Sequence, residues 1–183
     1  PISVIQGYIN LLDRWGKDDP ATLQESIVAI KNETENMKTL VENLLFLARG
    51  DSDNIQLILE SIDTHFLLEE VIKETSMIDS QRKIELVCDE TVLLVADRQL
   101  IKQALRILLD NAMKYSDLEA PIIIRCAKEE QRFICSITDQ GIGISPENIE
   151  RVFDRFYRDE QARVAKAKGA GLGLSIAKWI IEK

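Results

Sequence analysis

Histidine is almost missing from this chain: one residue in 183, His65. It stands in "SIDTHFLLEE", where a helix is predicted to begin, and reads as a surface or capping residue. Cysteine is scarce too. Cys88, Cys126 and Cys135 show neither CxxC nor metal-ligand spacing, which argues against a cysteine-based metal or redox motif. Each lies in an apolar, strand-like stretch, so they are expected as reduced core residues of a cytoplasmic protein. No apolar run approaches the roughly 20 residues of a membrane span, and no signal peptide is visible. Basic residues are outnumbered, 23 to 31, and the net charge is −8. That balance argues against a general nucleic-acid binder, which needs basic surface to meet phosphates. A locally basic pocket stays open. There is no initiator methionine either. The chain opens on Pro1 and is expected to be a piece of a longer protein.

What is present suits a folded molecule. Hydrophobic residues make up 45% of the chain, enough for a core and too many for a disordered segment. The length allows one ordinary domain or two small ones. Ile2, Ile5, Ile9, Leu12 and Trp15 recur at three and four and predict a first amphipathic helix. "GKDDP" reads as a turn built on Gly16, two acids and Pro20. A second helix is predicted over 21–49, about 43 Å long at 1.5 Å per residue. Its stripe includes Leu23, Ile27, Ile30, Met37, Leu40, Leu44 and Leu47. The pair reads as an antiparallel hairpin with one helix too few to bury its stripe. A homodimeric four-helix bundle through residues 1–49 is therefore expected.

"GDSDN" is a polar break, and residues 50–56 read as a linker. From 57 to 183 the pattern is mixed. Strands are predicted at 56–60, 83–88 and 91–96, the last two around a turn at Asp89 and Glu90. Helices are predicted over 64–77 and 98–115. Residues 121–127 and 132–139 read as a β-hairpin. "SPENIERVF" reads as a short helix with Ser145 as cap and Pro146 at its first position. A polar, basic loop, a glycine run and a final helix to Lys183 follow. The fold class is α+β: a helical hairpin, then an α/β sandwich.

Three stretches carry chemistry. In "LLDNAMKYS" the helical spacing sets Asn111, Lys114 and Tyr115 on one face, at the edge of the stripe Leu100, Ala104, Leu108 and Ala112. An amide, an ammonium and a phenol there suit a hard cation, a phosphate and a flat ring. A solvated helix end fits the same residues. In "ICSITDQGIGIS", strand parity sets Asp139 on the face of Phe133, Cys135 and Ile137, pointing inward. A buried carboxylate needs a donor. Gly141 and Gly143 leave bare backbone beside it, and Ile142 and Ile144 supply apolar walls. Adenine, with its exocyclic amine, fits such a pocket, and so does a tight turn capped by an aspartate. In "KGAGLGLSIAKWII", Gly169, Gly171 and Gly173 lead into a helix whose free N–H groups can take an anion. Flexible loops also collect glycine. No GK[ST] follows, and no βαβ unit surrounds the run, so neither a Walker loop nor a Rossmann turn is present.

In combination and in this order, the motifs closely resemble the ATP-binding domain of sensor histidine kinases, within the gyrase, Hsp90 and MutL class. "DNAMKYS" resembles the N box, "DQGIGIS" and "GAGLGLSIAK" the two glycine boxes, and "FDRFYR" the F box. Residues 1–49 resemble the dimerisation and phosphotransfer hairpin that precedes this domain. The resemblance implies Mg²⁺ on Asn111, phosphates near Lys114 and Tyr115 flanking the nucleotide. It implies adenine on Asp139, with Gly141, Gly143 and Ile144 around it. It places Gly169, Gly171, Leu172 and Gly173 at the nucleotide and Arg158 near the γ-phosphate. Loop 159–168, with Arg163, Lys166 and Lys168, is expected as a lid. The implied chemistry is transfer of the γ-phosphoryl of Mg-ATP to a histidine nitrogen, for relay to a response-regulator aspartate. A membrane anchor is implied only in segments outside this chain, which would be the cytoplasmic portion of a bacterial protein.

Four departures stand out. Ile107 occupies the place of a second polar residue one turn before Asn111. Ala170 stands where a hydroxyl is common. The family's closing β-hairpin is expected beyond Lys183. The acceptor histidine belongs to a box ending in proline, which Pro1 matches, so the acceptor is expected upstream, and His65 is in the wrong domain to replace it. Two alternatives remain: a degenerate, ATP-binding dimeric regulator, and a serine kinase or ATPase on the same nucleotide fold. The helical hairpin argues against the last.

Overall fold

The computed structural model describes residues 1–16, 19–52, 54–88, 90–130, 132–159 and 169–183. The chain divides into two compact units, Pro1–Asp51 and Ser52–Lys183.

The first unit is two packed helices, α1 (Ile2–Trp15) and α2 (Pro20–Asp51). The predicted turn between them lies partly outside the described residues, at Lys17 and Asp18. On its described side Gly16 closes α1, its N–H donating to the Leu12 carbonyl at 2.9 Å. Asp19 opens α2, with Oδ1 accepting from the Ala21 N–H at 3.0 Å and Oδ2 from the Thr22 hydroxyl at 2.6 Å. Pro20 follows as the first helical residue, where its missing N–H costs nothing. α1 buries none of its residues. Ile2, Ile9, Trp15, Ile27 and Leu45 are each about half exposed or more. The stripes read from the sequence are therefore present, and much of their area lies open.

The second unit places helices against a sheet. Its strands are β1 (Leu59–Asp63), β2 (Ile84–Cys88), β3 (Leu93–Asp97), β4 (Ile122–Glu129) and β5 (Arg132–Thr138). Its helices are α3 (Thr64–Ile78), α4 (Arg98–Tyr115) and α5 (Gly173–Glu182). β2, β4 and β5 form one sheet, with β2 parallel to β4 and β4 antiparallel to β5. β1 and β3 form a separate antiparallel ribbon. The core is one cluster: Leu67, Leu68 and Val71 from α3, Leu105, Leu109 and Ala112 from α4, and Ile122, Ile124 and Cys126 from β4.

Several sequence expectations are corrected. The first strand lies at Leu59–Asp63, three residues beyond its expected start, because Ile62 is the residue that reaches the core. The strands flanking Asp89 and Glu90 do not pair with each other. β2, half-buried along most of its length, takes the interior partner β4, while β3, with Leu93 and Val95 exposed, takes the ribbon. Asp89 itself lies outside the described residues. "SPENIERVF" makes two short 3₁₀ turns, Pro146–Asn148 and Arg151–Phe153, rather than an α-helix. Ser145 makes no side-chain cap, because its hydroxyl accepts from Asn148 Nδ2 at 2.9 Å instead.

The three cysteines are free thiols in one cross-strand row: Cys88 opposite Cys126, and Cys126 opposite Cys135. Burial pushes the Cys126 and Cys135 thiols up, which keeps them protonated and unreactive at neutral pH.

α4 is the best-anchored helix. Asp97 caps it, Oδ1 accepting from the N–H groups of Gln99 and Leu100, both at 3.1 Å. Along its side Arg98, Lys102 and Arg106, four residues apart, meet Glu70 and Glu74 of α3. Lys102 bridges both glutamates, at 2.8 Å to Glu74, with its side chain only 8% exposed. Hydrogen bonds from Lys102 and Arg98 hold the Glu70 carboxyl below its ordinary range, and those to Glu70 and Glu74 raise Lys102.

Candidate functional site

α4 turns its buried side, Leu105, Leu109 and Ala112, to the core. That leaves Asn111 and Tyr115 half-buried and Lys114 exposed at the margin. Lys114 Nζ rests on Asp110 Oδ2 at 2.9 Å. An exposed pair one turn apart contributes little, so a phosphate can displace it at small cost.

The last carbonyls of a helix need partners from outside it. In α4 the Ala112 carbonyl accepts from both the N–H and the hydroxyl of Ser116, at 3.2 and 2.6 Å. The Met113 carbonyl accepts from Arg82 Nη2 at 2.9 Å. The Tyr115 carbonyl accepts from the Ile142 N–H at 3.1 Å, and Ser116 and Gly141 form a β-bridge. The first glycine turn is thus hydrogen-bonded to the end of α4. The approach is so close that Gly141 admits no side chain. A Cβ there would lie 2.7 Å from Asp139 Oδ1 and 2.8 Å from the Tyr115 carbonyl carbon. Gly143 has φ +70°, a left-handed conformation that disfavours any other residue.

Asp139 departs from its expected setting. Phe133, Cys135 and Ile137 are half-buried on one face, as parity predicts, but Asp139 is exposed. β5 ends at Thr138, so the carboxylate falls in the turn and not in the sheet. Oδ1 accepts from the Gly141 N–H at 2.8 Å. Ile142 and Ile144 beside it are each 48% exposed.

The second glycine run is tied to the other side of α4. Gly173 opens α5, and a Cβ there would lie 3.1 Å from Ile107 Cγ2. Ile107, one turn before Asn111, therefore packs against the start of α5. Among the described residues no side chain caps that helix. The Ser175 hydroxyl donates instead to the Leu172 carbonyl at 2.8 Å. Leu172, expected at the nucleotide, is only 1% exposed and belongs to the core, so its backbone alone could take part. Gly169 is exposed and a Cβ there would meet nothing within 4 Å.

Gly171 closes onto the "FDRFYR" segment. Its carbonyl accepts from the Phe156 N–H at 2.8 Å, and a Cβ on it would lie 2.7 Å from the Tyr157 carbonyl oxygen. Gly171 has φ +72° and Phe156 φ +65°, uncommon for a bulky residue. Arg151 lies over the Tyr157 ring at 4.6 Å, and Lys178 of α5 over Phe153 at 5.7 Å. Asn148 Nδ2 bridges Ser145 and Asp159. Arg158 is half-buried at the end of this segment. The expected lid, with Arg163, Lys166 and Lys168, lies outside the described residues except for Asp159.

Among the described residues no cluster of three or more His, Cys, Asp or Glu could hold a metal. Asn111 is the one oxygen ligand that the sequence assigned to a cation. Sequence reasoning missed Arg82, because one basic residue before a strand gives no signal. It also missed the left-handed Phe156 and the packing role of Ile107.

Comparison with known proteins gives the family. Residues 96–183 match the family described as histidine kinase-, DNA gyrase B- and HSP90-like ATPase, and residues 1–53 match the His Kinase A (phospho-acceptor) domain. The chain belongs to the sensor histidine kinases. Sensor histidine kinase YkoH of Bacillus subtilis is 43% identical over 100% of this chain and 40% of its own length. The structure of the Acinetobacter baumannii histidine kinase AdeS superposes with a TM-score of 0.77 at 28% identity, covering 100% of this chain and 83% of that one. Histidine kinase ThkA, solved in complex with the response regulator protein TrrA, gives a TM-score of 0.77 at 27% identity, over 100% and 50%. The chain spans about 40% of the length of the curated relatives it matches. The ATPase match includes α4, both glycine runs and the F segment, and α1 and α2 fall in the phospho-acceptor match.

The glycine geometry makes a graded prediction for a sensor kinase domain built this way. Gly141→Ala and Gly171→Ala should each destabilise the second unit by about 2 kcal/mol, through backbone overlap and, at Gly171, left-handed strain. Gly169→Ala should stay within about 0.5 kcal/mol. Urea unfolding of the three variants measures the order, and equal losses would contradict it.

Proposed function

We propose that the chain is the core of a histidine autokinase. It binds Mg-ATP on the second unit and transfers the γ-phosphoryl to a histidine on the dimerisation helix, for relay to a response-regulator aspartate. The observation that carries this reading is the bond between the Tyr115 carbonyl and the Ile142 N–H. It brings the amide, ammonium and phenol of α4 to the aspartate-glycine turn that suits adenine.

The residues fit the nucleotide. Gly141 lets the turn close onto the end of α4, Ile142 and Ile144 leave apolar area open, and α5 presents an N-terminus that no side chain of the described residues caps. In this reading Asp139 accepts from the adenine amine and Tyr115 flanks the base. Lys114 and the first turn of α5 neutralise phosphate charge, with Arg158 near the γ-phosphate. Asn111 gives Mg²⁺ one protein oxygen. With no acidic cluster among the described residues, phosphate and water oxygens would complete the shell, as is usual for this cation. Such a site works by positioning and charge neutralisation. The phosphorus–oxygen bond to the leaving ADP breaks as a phosphorus–nitrogen bond to the imidazole forms.

The acceptor is not in this sequence. Residues 1–53 match the phospho-acceptor family yet contain no histidine. His65 sits in the first turn of α3, 3.4 Å from Glu69, and belongs to the other unit. Ile107, which would favour a degenerate regulator as a missing ligand, has a packing role against Gly173. We further propose a homodimer through residues 1–49, a response-regulator receiver domain as partner, and a cytoplasmic location beneath a membrane anchor carried by other segments. No helix of the described residues is long and apolar enough to cross a membrane.

Two experiments test these readings. Asn111→Asp and Asp139→Asn should each abolish Mg-ATP binding in calorimetry, and unchanged affinity in both would defeat the nucleotide assignment. Light scattering at tens of micromolar should give the mass of a dimer, and a monomer would contradict the bundle.

A further inference from the structure

Arg82 is a buried cation with no carboxylate among its hydrogen-bond partners in the described residues. It lies between α3 and β2 and is 7% exposed. Its fork reaches four carbonyls around the end of α4. Nη2 donates to Met113 at 2.9 Å and Ser116 at 3.2 Å. Nη1 donates to the carbonyls of Asp117 and Ala120 and to the Ser116 hydroxyl. Nε, also buried, has no partner among the described residues.

Burying a guanidinium this deeply is costly unless something repays it. The negative end of the α4 dipole and its orphan carbonyls do so. The planar fork is what allows both the last helical turn and the loop 117–120 to be held at once. A lysine ammonium, a single point on a flexible stem, cannot span them in the same geometry. The core beneath this end is already closed by Leu109 and Ala112. Arg82 therefore acts on the one stretch of α4 that carries Asn111, Lys114 and Tyr115, next to the carbonyl that holds Ile142.

We propose that Arg82 is the positioning residue of the nucleotide site, a clamp that sets the last turn of α4 against the Asp139–Gly143 turn and so sets affinity for Mg-ATP. The proposal rests on the nucleotide-binding reading above. It touches no substrate and acts through the carbonyls it holds.

The test uses the full chain with R82A and R82K. Thermal melts give the folded fraction, calorimetry gives Mg-ATP affinity where each protein is folded, and amide exchange reports the Ile142 N–H. R82A should bind about ten-fold more weakly and exchange at Ile142 about ten-fold faster. R82K, which keeps the charge and loses the fork, should fall between R82A and the parent in both. A lower melting temperature with affinity and Ile142 exchange unchanged would overturn the proposal, since that is what a purely structural residue gives. If R82A does not fold, R82K decides on the same two readouts. If the parent chain binds no Mg-ATP, the nucleotide reading fails, and with it the affinity claim. Ile142 exchange in the variants then still shows whether Arg82 sets the turn.

Discussion

The end of α4 and the first glycine turn share their backbone hydrogen bonds, and the arrangement of the site follows from that exchange. The Tyr115 carbonyl has no helical partner left and takes the Ile142 N–H. The two backbones come so close that position 141 has room for a hydrogen and nothing larger. Two motifs separated in sequence by the whole β4–β5 hairpin are thereby fixed relative to each other. Neither needs its own rigid frame. A turn this short could not hold Asp139 without the helix, and the Tyr115 carbonyl would lose its partner without the turn.

α4 can serve as the reference element because it is restrained along its whole length. Asp97 caps its start, and the ladder of Arg98, Lys102 and Arg106 against Glu70 and Glu74 fastens its flank to α3. Leu105 and Leu109 bury its core side. Ile107 presses on the glycine that opens α5. Arg82 holds its last turn. Both glycine runs therefore reach the same helix from different sides. The F segment is carried by the second run, through the bond between Phe156 and Gly171. A nucleotide bound here would meet groups from four parts of the chain with one helix as their common support. The hairpin of residues 1–51 is a separate matter. Its open stripe asks for a partner, and a second copy is the one we propose.

Local patterns were readable from the sequence where local forces decide. The α4 boundaries follow from its apolar period and the Ser116 that ends it, and the alternation of Phe133, Cys135 and Ile137 gives the sheet face of β5. The glycines read as bare backbone beside a ligand; in the structure Gly141 and Gly171 are points of close backbone approach, and Gly173 faces the Ile107 side chain. Pairing was less legible. That β2 lies beside β4 and β3 beside β1 depends on which strand is the more buried, which short apolar runs do not reveal. Parity also failed one residue past its strand. Asp139 shares the register of Ile137 but not its burial, because the sheet ends first. Ile107 read as a lost ligand, yet it fills the space beside a glycine sixty-six positions later in the chain, a contact no local pattern encodes. Arg82 was silent for the same reason, since its partners are carbonyls.

The central claim is that α4 and the two glycine runs form one nucleotide site. Its most direct test is an amide NMR titration of this chain with Mg²⁺ and a non-hydrolysable ATP analogue. The account predicts saturable shifts, with one common dissociation constant, at Gly141, Ile142, Gly171 and Gly173 and at the Asn111 side-chain amide. The exposed ribbon residues Leu93 and Val95 should stay unmoved. Shifts confined to one glycine run, or separate constants for the two, would contradict it.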